Sequence, residues 1–163
     1  MADRAAGVFP QIRWFADFSV GQTFVFGAWV LTRESMLEFA RVYDPEPFHL
    51  DEDAARRLGW DGLIASGLQV ASIWRRLSKD AFPNAHTVIS PGWEDIRWLK
   101  PAYAGDILTS HSEIREARVL ASRPAEGMVK MRSTLVRQDD TPIARLTCTW
   151  FLRRSPESGG DAC

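Results

Sequence analysis

The feature that most constrains the fold of this chain is one long amphipathic helix followed only by strand-like segments. Apolar residues recur at helical spacing at Val70, Ile73, Trp74 and Leu77, which predicts a continuous apolar stripe. After Pro83 the spacing of the apolar residues changes: they alternate with polar ones, as in half-buried strands. One helix that must bury its stripe against one curved antiparallel sheet predicts an α+β domain.

Both ends of this helix carry terminal signals. Ser66 begins the helix, and the spacing of Ser66 and Gln69 is that of a capping box. Arg75, Arg76 and Lys79 gather near the other end, where cations interact favourably with the helix dipole. The helix is therefore predicted to start at Ser66 and to end before the proline that follows it.

The same two periodicities predict the remaining elements. Strands are expected over 23–31, 93–99, 107–117, 129–135 and 146–152, a helix from Arg33 that stops by Asp44, and a short helix over 52–58 that Asp51 caps. The two prolines of the segment 45–47 predict a stiff, extended link without regular helix between Asp44 and His49. Residues 1–152 are predicted to form one domain, with its core over about 18–152, and 153–163 a disordered C-terminal tail.

The composition argues against several classes of function. The net charge is -1 and the pI about 6.3, so nothing favours binding to nucleic acid or to an anionic membrane surface. No segment has the apolar length that spans a bilayer, and the N-terminus lacks the apolar stretch of a signal peptide. Cys148 and Cys163 predict free thiols rather than a disulfide framework. We therefore expect a cytoplasmic protein.

The stretch that is richest in chemistry combines an acid, an imidazole and a helix N-terminus. Asp44 and His49 lie five residues apart, and Ser66 and Gly67 follow at the start of the long helix. A carboxylate and an imidazole transfer protons, and backbone N–H groups at a helix start stabilise a developing oxyanion. Each residue also has a structural interpretation. These are a helix end for Asp44, a core histidine for His49, an N-cap for Ser66 and a close-packing position for Gly67.

These residues resemble the signature of the MaoC-like dehydratases, hotdog-fold proteins that include the R-specific enoyl-CoA hydratases. The matching segments are 43–51 (Tyr43-Asp44-Pro45-Glu46-Pro47-Phe48-His49-Leu50-Asp51), 65–68 (Ala65-Ser66-Gly67-Leu68), 90–101 and Gly105-Asp106. The resemblance covers roughly residues 18 to 152. Asp44, Pro47 and His49 match the family's Asp, Pro and His at the family's spacing. Tyr43 stands where Gly is usual, and Glu46 stands where Asn is usual.

The resemblance implies a hotdog domain, in which an antiparallel sheet wraps around a long central helix, and a hydro-lyase reaction. Asp44 and His49 would activate the water that adds to a trans-2-enoyl thioester, and the reverse reaction would dehydrate a 3-hydroxyacyl thioester. The N–H of Gly67 would polarise the thioester carbonyl, and Ser66 would orient the pair. The expected substrate-contacting residues are Pro47 and Phe48.

The resemblance also implies the partners of the chain. The substrate would be an acyl-CoA or an acyl-carrier-protein thioester, with CoA present only as part of the substrate and with no metal or redox cofactor. His86 and His111 lack the spacing of metal ligands, which agrees with this expectation. Because the family usually pairs two hotdog units, a homodimer or a multiple of it is expected, with substrate bound near the subunit boundary.

Two other functions stay open on the sequence. A hotdog thioesterase would hydrolyse the acyl-CoA, but such enzymes commonly carry an acid on the long helix, and residues 66–79 contain none. A non-catalytic acyl-thioester-binding protein would fit if Tyr43 and Glu46 distort the site. The tryptophans are expected in the core or in pocket walls. The cations that either meet CoA phosphates or face solvent are Arg75, Arg76, Arg97 and Lys100.

Overall fold

The computed structural model of the protein describes residues 7–155, whose helices and strands confirm the α+β fold. The strands are β1 (Thr23–Val30), β2 (Thr87–Trp98), β3 (Ile107–Leu120), β4 (Arg123–Val136) and β5 (Pro142–Arg153). The helices are α1 (Arg33–Tyr43), α2 (Pro47–Leu50), α3 (Glu52–Arg57) and α4 (Gly67–Ala81), preceded by a 3-10 turn at Phe15–Asp17.

The five strands form one antiparallel sheet in the order β1-β3-β4-β5-β2. Helix α4 packs its apolar stripe into the core on the inner face of this sheet, and Trp74 at its centre is fully buried. Leu146, Cys148 and Leu152 of β5 are also fully buried on that face, which confirms the alternation predicted for the last strand. The arrangement is the predicted hotdog domain, a sheet around one long helix.

The start of α4 confirms Ser66 as its N-cap but not the capping box. Ser66 Oγ accepts a hydrogen bond of 3.1 Å from the Leu68 N–H. The Gln69 side chain does not return to Ser66, because its Nε2 donates to the Ser35 carbonyl at 2.9 Å. Gln69 is buried, so its amide satisfies a carbonyl in the first turn of α1 and thereby joins the two helices.

Four strands extend beyond their predicted bounds. β2 starts at Thr87 instead of Trp93 and includes Pro91, which is tolerated because β2 is an edge strand that, within residues 7–155, is hydrogen-bonded only to β5. β3 and β4 extend to a tight connection at 121–122. β5 continues through Arg153 into the predicted tail, and the Arg154 N–H donates to the Ala125 carbonyl. The rest of the predicted tail, 156–163, lies outside the described residues.

Side chains cap α1 and α3, and the cap of α3 is the predicted Asp51. Thr32 Oγ1 accepts from the Ser35 N–H at the start of α1, and Asp51 Oδ1 accepts from the Ala54 N–H at the start of α3. Over residues 7–155, none of the helices has both the length and the apolarity needed to span a membrane. Cys148 is a buried free thiol, and Cys163 lies beyond the described residues.

Candidate active site

The segment that joins the acid to the imidazole is partly helical, so the extended link predicted for it is wrong. Asp44 ends α1, where its N–H donates to the Ala40 carbonyl. The chain turns tightly at Pro45, where the Glu46 N–H donates to the Asp44 carbonyl at 2.8 Å, and α2 begins at Pro47 after the extended Glu46. A proline is tolerated at the first helical position because its missing N–H has no intrahelical partner there. The short helix turns the next side chains back toward the end of α1.

Asp44, His49 and Ser66 converge at one point between α1, α2 and α4. Asp44 Oδ2 lies 3.4 Å from His49 Nε2. The same oxygen accepts a hydrogen bond of 2.6 Å from Ser66 Oγ. Because the hydroxyl of Ser66 also caps α4, the N-terminus of the central helix fixes the position of the carboxylate.

The hydrogen bond at Nδ1 of His49 shows which of its two ring nitrogens carries a proton. Nδ1 lies 2.8 Å from the Ile64 carbonyl oxygen, and a carbonyl only accepts, so Nδ1 carries a proton. In the neutral ring Nε2 is then the proton acceptor, and it is the atom that faces Asp44. Ile64 is itself held by a β-bridge to Tyr103. His49 is buried, with 7% of its surface exposed, so its ring orientation is set by packing and by this bond.

Gly67 occupies the first position of α4, where the backbone N–H has no partner within the helix. The indole of Trp98 covers the glycine: a Cβ added at Gly67 would lie 2.6 Å from Trp98 Cε2. The side chain of residue 67 therefore has to be absent for Trp98 to pack against the helix start. Gly67 is thus a close-packing position, as its structural interpretation predicted, and its N–H is free of an intrahelical partner.

Asp44, His49 and Gly67 line a cavity of about 410 Å³, whereas Ser66 is not one of its lining residues. Its walls are mostly apolar and aromatic, and its charged or titratable lining residues are Asp44, His49 and Lys100. The lining comprises Asp44, Phe48, His49, Trp60, Ile64, Ala65, Gly67, Leu68, Val70, Trp98, Leu99, Lys100, Pro101, Ala102 and Ile143. Phe48 is among them as expected, but Pro47 is exposed and outside the lining, because its position at the start of α2 directs it to solvent. A mostly apolar cavity with a few convergent polar groups is the usual form of a ligand site.

The departures from the family signature lie outside the cavity. Tyr43 is 67% exposed at the last position of α1, and Glu46 is exposed ahead of α2. Neither residue has a positive φ; among the described non-glycine residues such angles occur at Asp95 and Asp140. Tyr43 and Glu46 therefore leave the geometry of the pair intact.

The other candidates from the sequence take ordinary places. Trp60 and Trp98 form cavity walls, and Trp74 and Trp150 are core residues, as predicted. Arg76 forms an ion pair of 2.8 Å with Asp80 on the surface of α4. Within residues 7–155, no three His, Cys, Asp or Glu side chains are grouped so that they could hold a metal ion.

Several cavity residues carried no signal in the sequence. Ile64, Leu68, Leu99 and Ile143 line the site, but an apolar side chain looks the same in sequence whether it faces a ligand or the core. Lys100 was identified only as one of four cations that could meet a phosphate. Contacts between distant segments decide these roles, and a single sequence does not give such contacts.

Comparison with known proteins agrees with this fold. A family model described as the MaoC like domain matches residues 17–136. The chain is 32% identical to the MaoC-like dehydratase from Rhodospirillum rubrum, whose crystal structure superposes with a TM-score of 0.80 over 86% of this chain and 96% of that chain.

Two further proteins resemble the chain over different extents. The mitochondrial 3-hydroxyacyl-[acyl-carrier-protein] dehydratase of Arabidopsis thaliana is 30% identical over 78 residues, which is 47% of this chain and 45% of that protein. The R-hydratase PhaJ1 from Pseudomonas aeruginosa has the same fold, with a TM-score of 0.69 and 22% identity over 86% of each chain.

Proposed function

The chain belongs to the MaoC-like domain family, and from this premise we propose that it is a hydro-lyase acting on acyl thioesters. The proposed reaction adds water to a trans-2-enoyl-CoA, or in reverse dehydrates a 3-hydroxyacyl thioester. The observation that carries the proposal is the placement of Asp44 Oδ2 3.4 Å from His49 Nε2 in the wall of a mostly apolar cavity. One water molecule in contact with both atoms would be held and activated there.

The proton donors and acceptors of Asp44 and His49 suit this reaction. When the imidazole of His49 is neutral, its proton acceptor is Nε2, since its other nitrogen donates to the Ile64 carbonyl. As the water oxygen bonds to C3 of the enoyl group, one water proton passes to the pair, and the pair delivers a proton to C2. The oxygen and one hydrogen of the water stay on C3 as the hydroxyl, so the sum of the steps is the addition of one water molecule. No electrons are exchanged, and the reaction needs neither a metal nor a redox cofactor.

The helix start supplies the stabilisation that the carbonyl requires. Addition at C3 moves negative charge onto the thioester oxygen, giving an enolate-like species. Gly67 is a lining residue of the cavity, its N–H at the N-terminus of α4 has no intrahelical partner, and the helix dipole favours a developing negative charge there. Ser66 has a positioning role, since its hydroxyl holds the Asp44 carboxylate.

The walls indicate where the acyl chain binds. Phe48, Trp60 and Trp98 are aromatic, and the aliphatic lining residues extend the apolar surface around them. Such walls suit a hydrocarbon chain, whose burial contributes about 0.8 kcal/mol for each CH₂ group. The proposed substrate is therefore an acyl thioester with an apolar chain, carried by CoA or by an acyl carrier protein.

A thioesterase is the second function to weigh. Helix α4 extends beyond Lys79 and does contain one acid, Asp80. That carboxylate lies in the last turn, is paired with Arg76 on the surface and is outside the cavity lining. An acid so placed does not reach a thioester bound beside Gly67, so the site favours hydration over hydrolysis.

We also propose that the chain works as a homodimer. β2 is an edge strand of 12 residues, and a long exposed edge tends to pair with another chain. Light scattering should therefore give at least twice the 18.4 kDa of one chain. A stable monomer at micromolar concentration would contradict the assembly but not the reaction.

The reaction itself is tested on Asp44→Asn, His49→Gln and the double variant. Hydration and CoA release are measured on one panel of trans-2-enoyl-CoA substrates. Each single variant is expected to lose roughly a hundredfold to ten-thousandfold of turnover. The double variant should be little worse than the poorer single one, because residues that act on one water are not additive.

Circular dichroism at the assay temperature serves as the folding control, since His49 is buried. Turnover of Asp44→Asn within a fewfold of wild type would refute the mechanism. Multiplicative losses in the double variant would assign the two side chains to separate steps, and release of CoA without hydration would identify a thioesterase.

A further inference from the structure

A second groove lies on the outer face of the sheet, opposite the face that packs on α4. It has a volume of about 590 Å³. Its polar and charged lining residues include His111, Glu113, Arg115, Arg132, Thr134 and Arg145. These residues alternate along β3, β4 and β5 with side chains that are buried on the inner face, so they point away from the core. We call this site the outer groove.

The register of the sheet brings arginines together at the outer groove. Arg145 of β5 lies opposite Thr134 of β4 on one side and opposite Arg97 of β2 on the other. Arg132 is two positions from Thr134 on the same face of β4. Opposite and diagonal residues on one face of a sheet are about 4.5–8 Å apart. Arg145 therefore has an arginine neighbour on each of its two sides.

The carboxylates of the chain leave these three arginines unneutralised. Within residues 7–155 none of the three forms an ion pair, and Arg97 donates to the carbonyl of Ile96. Glu113 lies opposite Arg132 in the register, but its carboxylate is taken by another arginine. The ion pairs of the outer face, each 2.9 Å long, are Arg115–Glu113, Arg118–Glu116 and Lys130–Glu94. Like charges on opposite residues destabilise a sheet, and a bound anion would offset this repulsion.

Two nitrogen atoms beside the outer groove lack hydrogen-bond partners. Arg145 is half-buried, and its Nε is shielded from solvent without a partner in the described chain. The same is true of His111 Nε2, in the row of the sheet that contains Arg145 and Thr134. Buried polar groups are usually hydrogen-bonded, and leaving them without a partner costs free energy. These groups therefore point to a ligand with several acceptor oxygens.

The chemistry of the outer groove favours a phosphate group over other acceptors. The guanidinium group presents planar pairs of N–H donors that match the oxygens of a phosphate or a carboxylate. A phosphate monoester carries about two negative charges at neutral pH and has three acceptor oxygens, which suits several neighbouring arginines better than one carboxylate does. The volume of the groove lies within the range of about 300–1,000 Å³ that is usual for small-molecule sites.

The outer groove is separate from the catalytic pair. Among the described residues, Leu99 is the one that lines both the groove and the catalytic cavity. Asp44 and His49 line the cavity alone, so a phosphate held by Arg132 and Arg145 would not contact them. Pairing of two chains along β2 would extend the sheet sideways and leave its outer face accessible.

We propose that the outer groove is a second binding site of this protein and that its ligand is a small phosphorylated molecule. Arg132 and Arg145 donate to the phosphate oxygens, and Arg97 adds positive charge beside them. The ligand is not the thioester that is hydrated in the catalytic cavity. The inference therefore goes beyond the proposed function and does not depend on it.

The first experiment measures binding of inorganic pyrophosphate by isothermal titration calorimetry. The buffer contains about 0.15 M salt, which screens weak surface attraction, and no divalent cations. Arg132→Gln/Arg145→Gln is expected to raise the Kd about tenfold to a hundredfold, because charge-assisted bonds to the anion are lost. Arg132→Gln alone changes an exposed side chain and should raise the Kd severalfold. Arg118→Gln, on the same face but paired with Glu116, is the matched control and should leave the Kd unchanged.

The second experiment separates a binding role from a structural one by thermal unfolding. Removal of the repulsion between neighbouring arginines predicts that ligand-free Arg132→Gln/Arg145→Gln melts at or above the wild-type Tm. Pyrophosphate should raise the Tm of the wild type and of Arg118→Gln, since it binds the folded state, but not that of the double variant. A double variant that loses stability yet keeps the wild-type Kd would assign the arginines to the fold alone and overturn the inference.

Further titrations identify the source of the phosphate. Tighter binding of ADP than of pyrophosphate would support a nucleotide ligand, and the reverse order would support a free inorganic anion. Succinate, with two carboxylates, should bind at least tenfold more weakly than the better of the two. Succinate binding of equal affinity would overturn the assignment to phosphate, and so would the absence of saturable binding of both pyrophosphate and ADP.

The KM for an enoyl-CoA connects the outer groove to the proposed function or separates the two. It should be the same for Arg132→Gln/Arg145→Gln and for the wild type. A tenfold rise would make the groove part of the substrate site and overturn its separate role. A wild-type protein that binds pyrophosphate but hydrates no enoyl-CoA would refute the proposed function and leave this inference standing.

Discussion

Replacing Ser66 by alanine removes two hydrogen bonds with one oxygen atom. The hydroxyl accepts from the Leu68 N–H at 3.1 Å, which caps α4, and donates to Asp44 Oδ2 at 2.6 Å. It is buried, with 1% of the residue exposed, so water does not readily replace either bond. We therefore expect Ser66→Ala to reduce stability and turnover together.

The magnitude follows from the two bonds. Loss of an N-cap costs about 1 kcal/mol, and loss of a hydrogen bond to a charged group costs about 1.5–3 kcal/mol. The sum of roughly 2.5–4 kcal/mol corresponds to a fall in Tm of about 5–15 °C for a chain of this size. Release of the Asp44 carboxylate should lower turnover by roughly tenfold to a hundredfold, because the catalytic groups lose their alignment.

The assay combines thermal unfolding with enoyl-CoA hydration. Thr32→Ala is the matched control, since Thr32 also caps a helix through one hydroxyl but sits at the far end of α1 from Asp44. It should lose only about 1 kcal/mol of stability and none of the turnover. Ser66→Ala made in an Asp44→Ala background should likewise cost only the cap. If Ser66→Ala matches Thr32→Ala in Tm and retains turnover within a fewfold of wild type, Ser66 does not hold the carboxylate.

The remaining predictions concern packing at Gly67 and the buried thiol. Gly67→Ala should cost about 1–3 kcal/mol of stability through its contact with Trp98 and much less in a Trp98→Ala background; equal costs measured by denaturant unfolding in both backgrounds would contradict the contact. Gly67→Val should abolish most turnover, and near-normal turnover would remove Gly67 from the site. Burial raises the pKa of the Cys148 thiol, so folding favours its protonated form, and that contribution to stability is lost as the pH rises through the folded pKa. In a Cys163→Ser chain at about pH 8, iodoacetamide should therefore label Cys148 in urea but not in the native protein.

The parts of this structure that could be predicted from the sequence depend on short-range patterns. The apolar stripe of α4 follows from the helical spacing of its apolar residues. Ser66 and Asp51 cap helices because the N–H groups that they bind lie two or three residues away. Asp44 and His49 were identified because their spacing is local. The ends of helices and strands are harder to predict. The first residues of β2, for example, form a strand only because β5 pairs with them.

Errors arose where a distant residue decided the outcome, and in one case from the local rule for proline. Gln69 has the spacing of a capping box, but the Ser35 carbonyl, 34 residues away in the chain, takes its amide. The prolines suggested an extended link, but a single proline at the start of a turn is compatible with the short helix α2. The bond from His49 to the Ile64 carbonyl, which decides which ring nitrogen can accept a proton, has no signature in the sequence.

The separation of 3.4 Å between Asp44 Oδ2 and His49 Nε2 has a stereochemical consequence for the proposed reaction. Both atoms lie in the same wall of the cavity, so a planar enoyl group can meet them with only one of its two faces. The hydroxyl oxygen at C3 and the hydrogen at C2 are then added to that face, which makes the addition syn. The product is a single enantiomer, and in deuterium oxide the deuteron at C2 takes one configuration relative to the new hydroxyl.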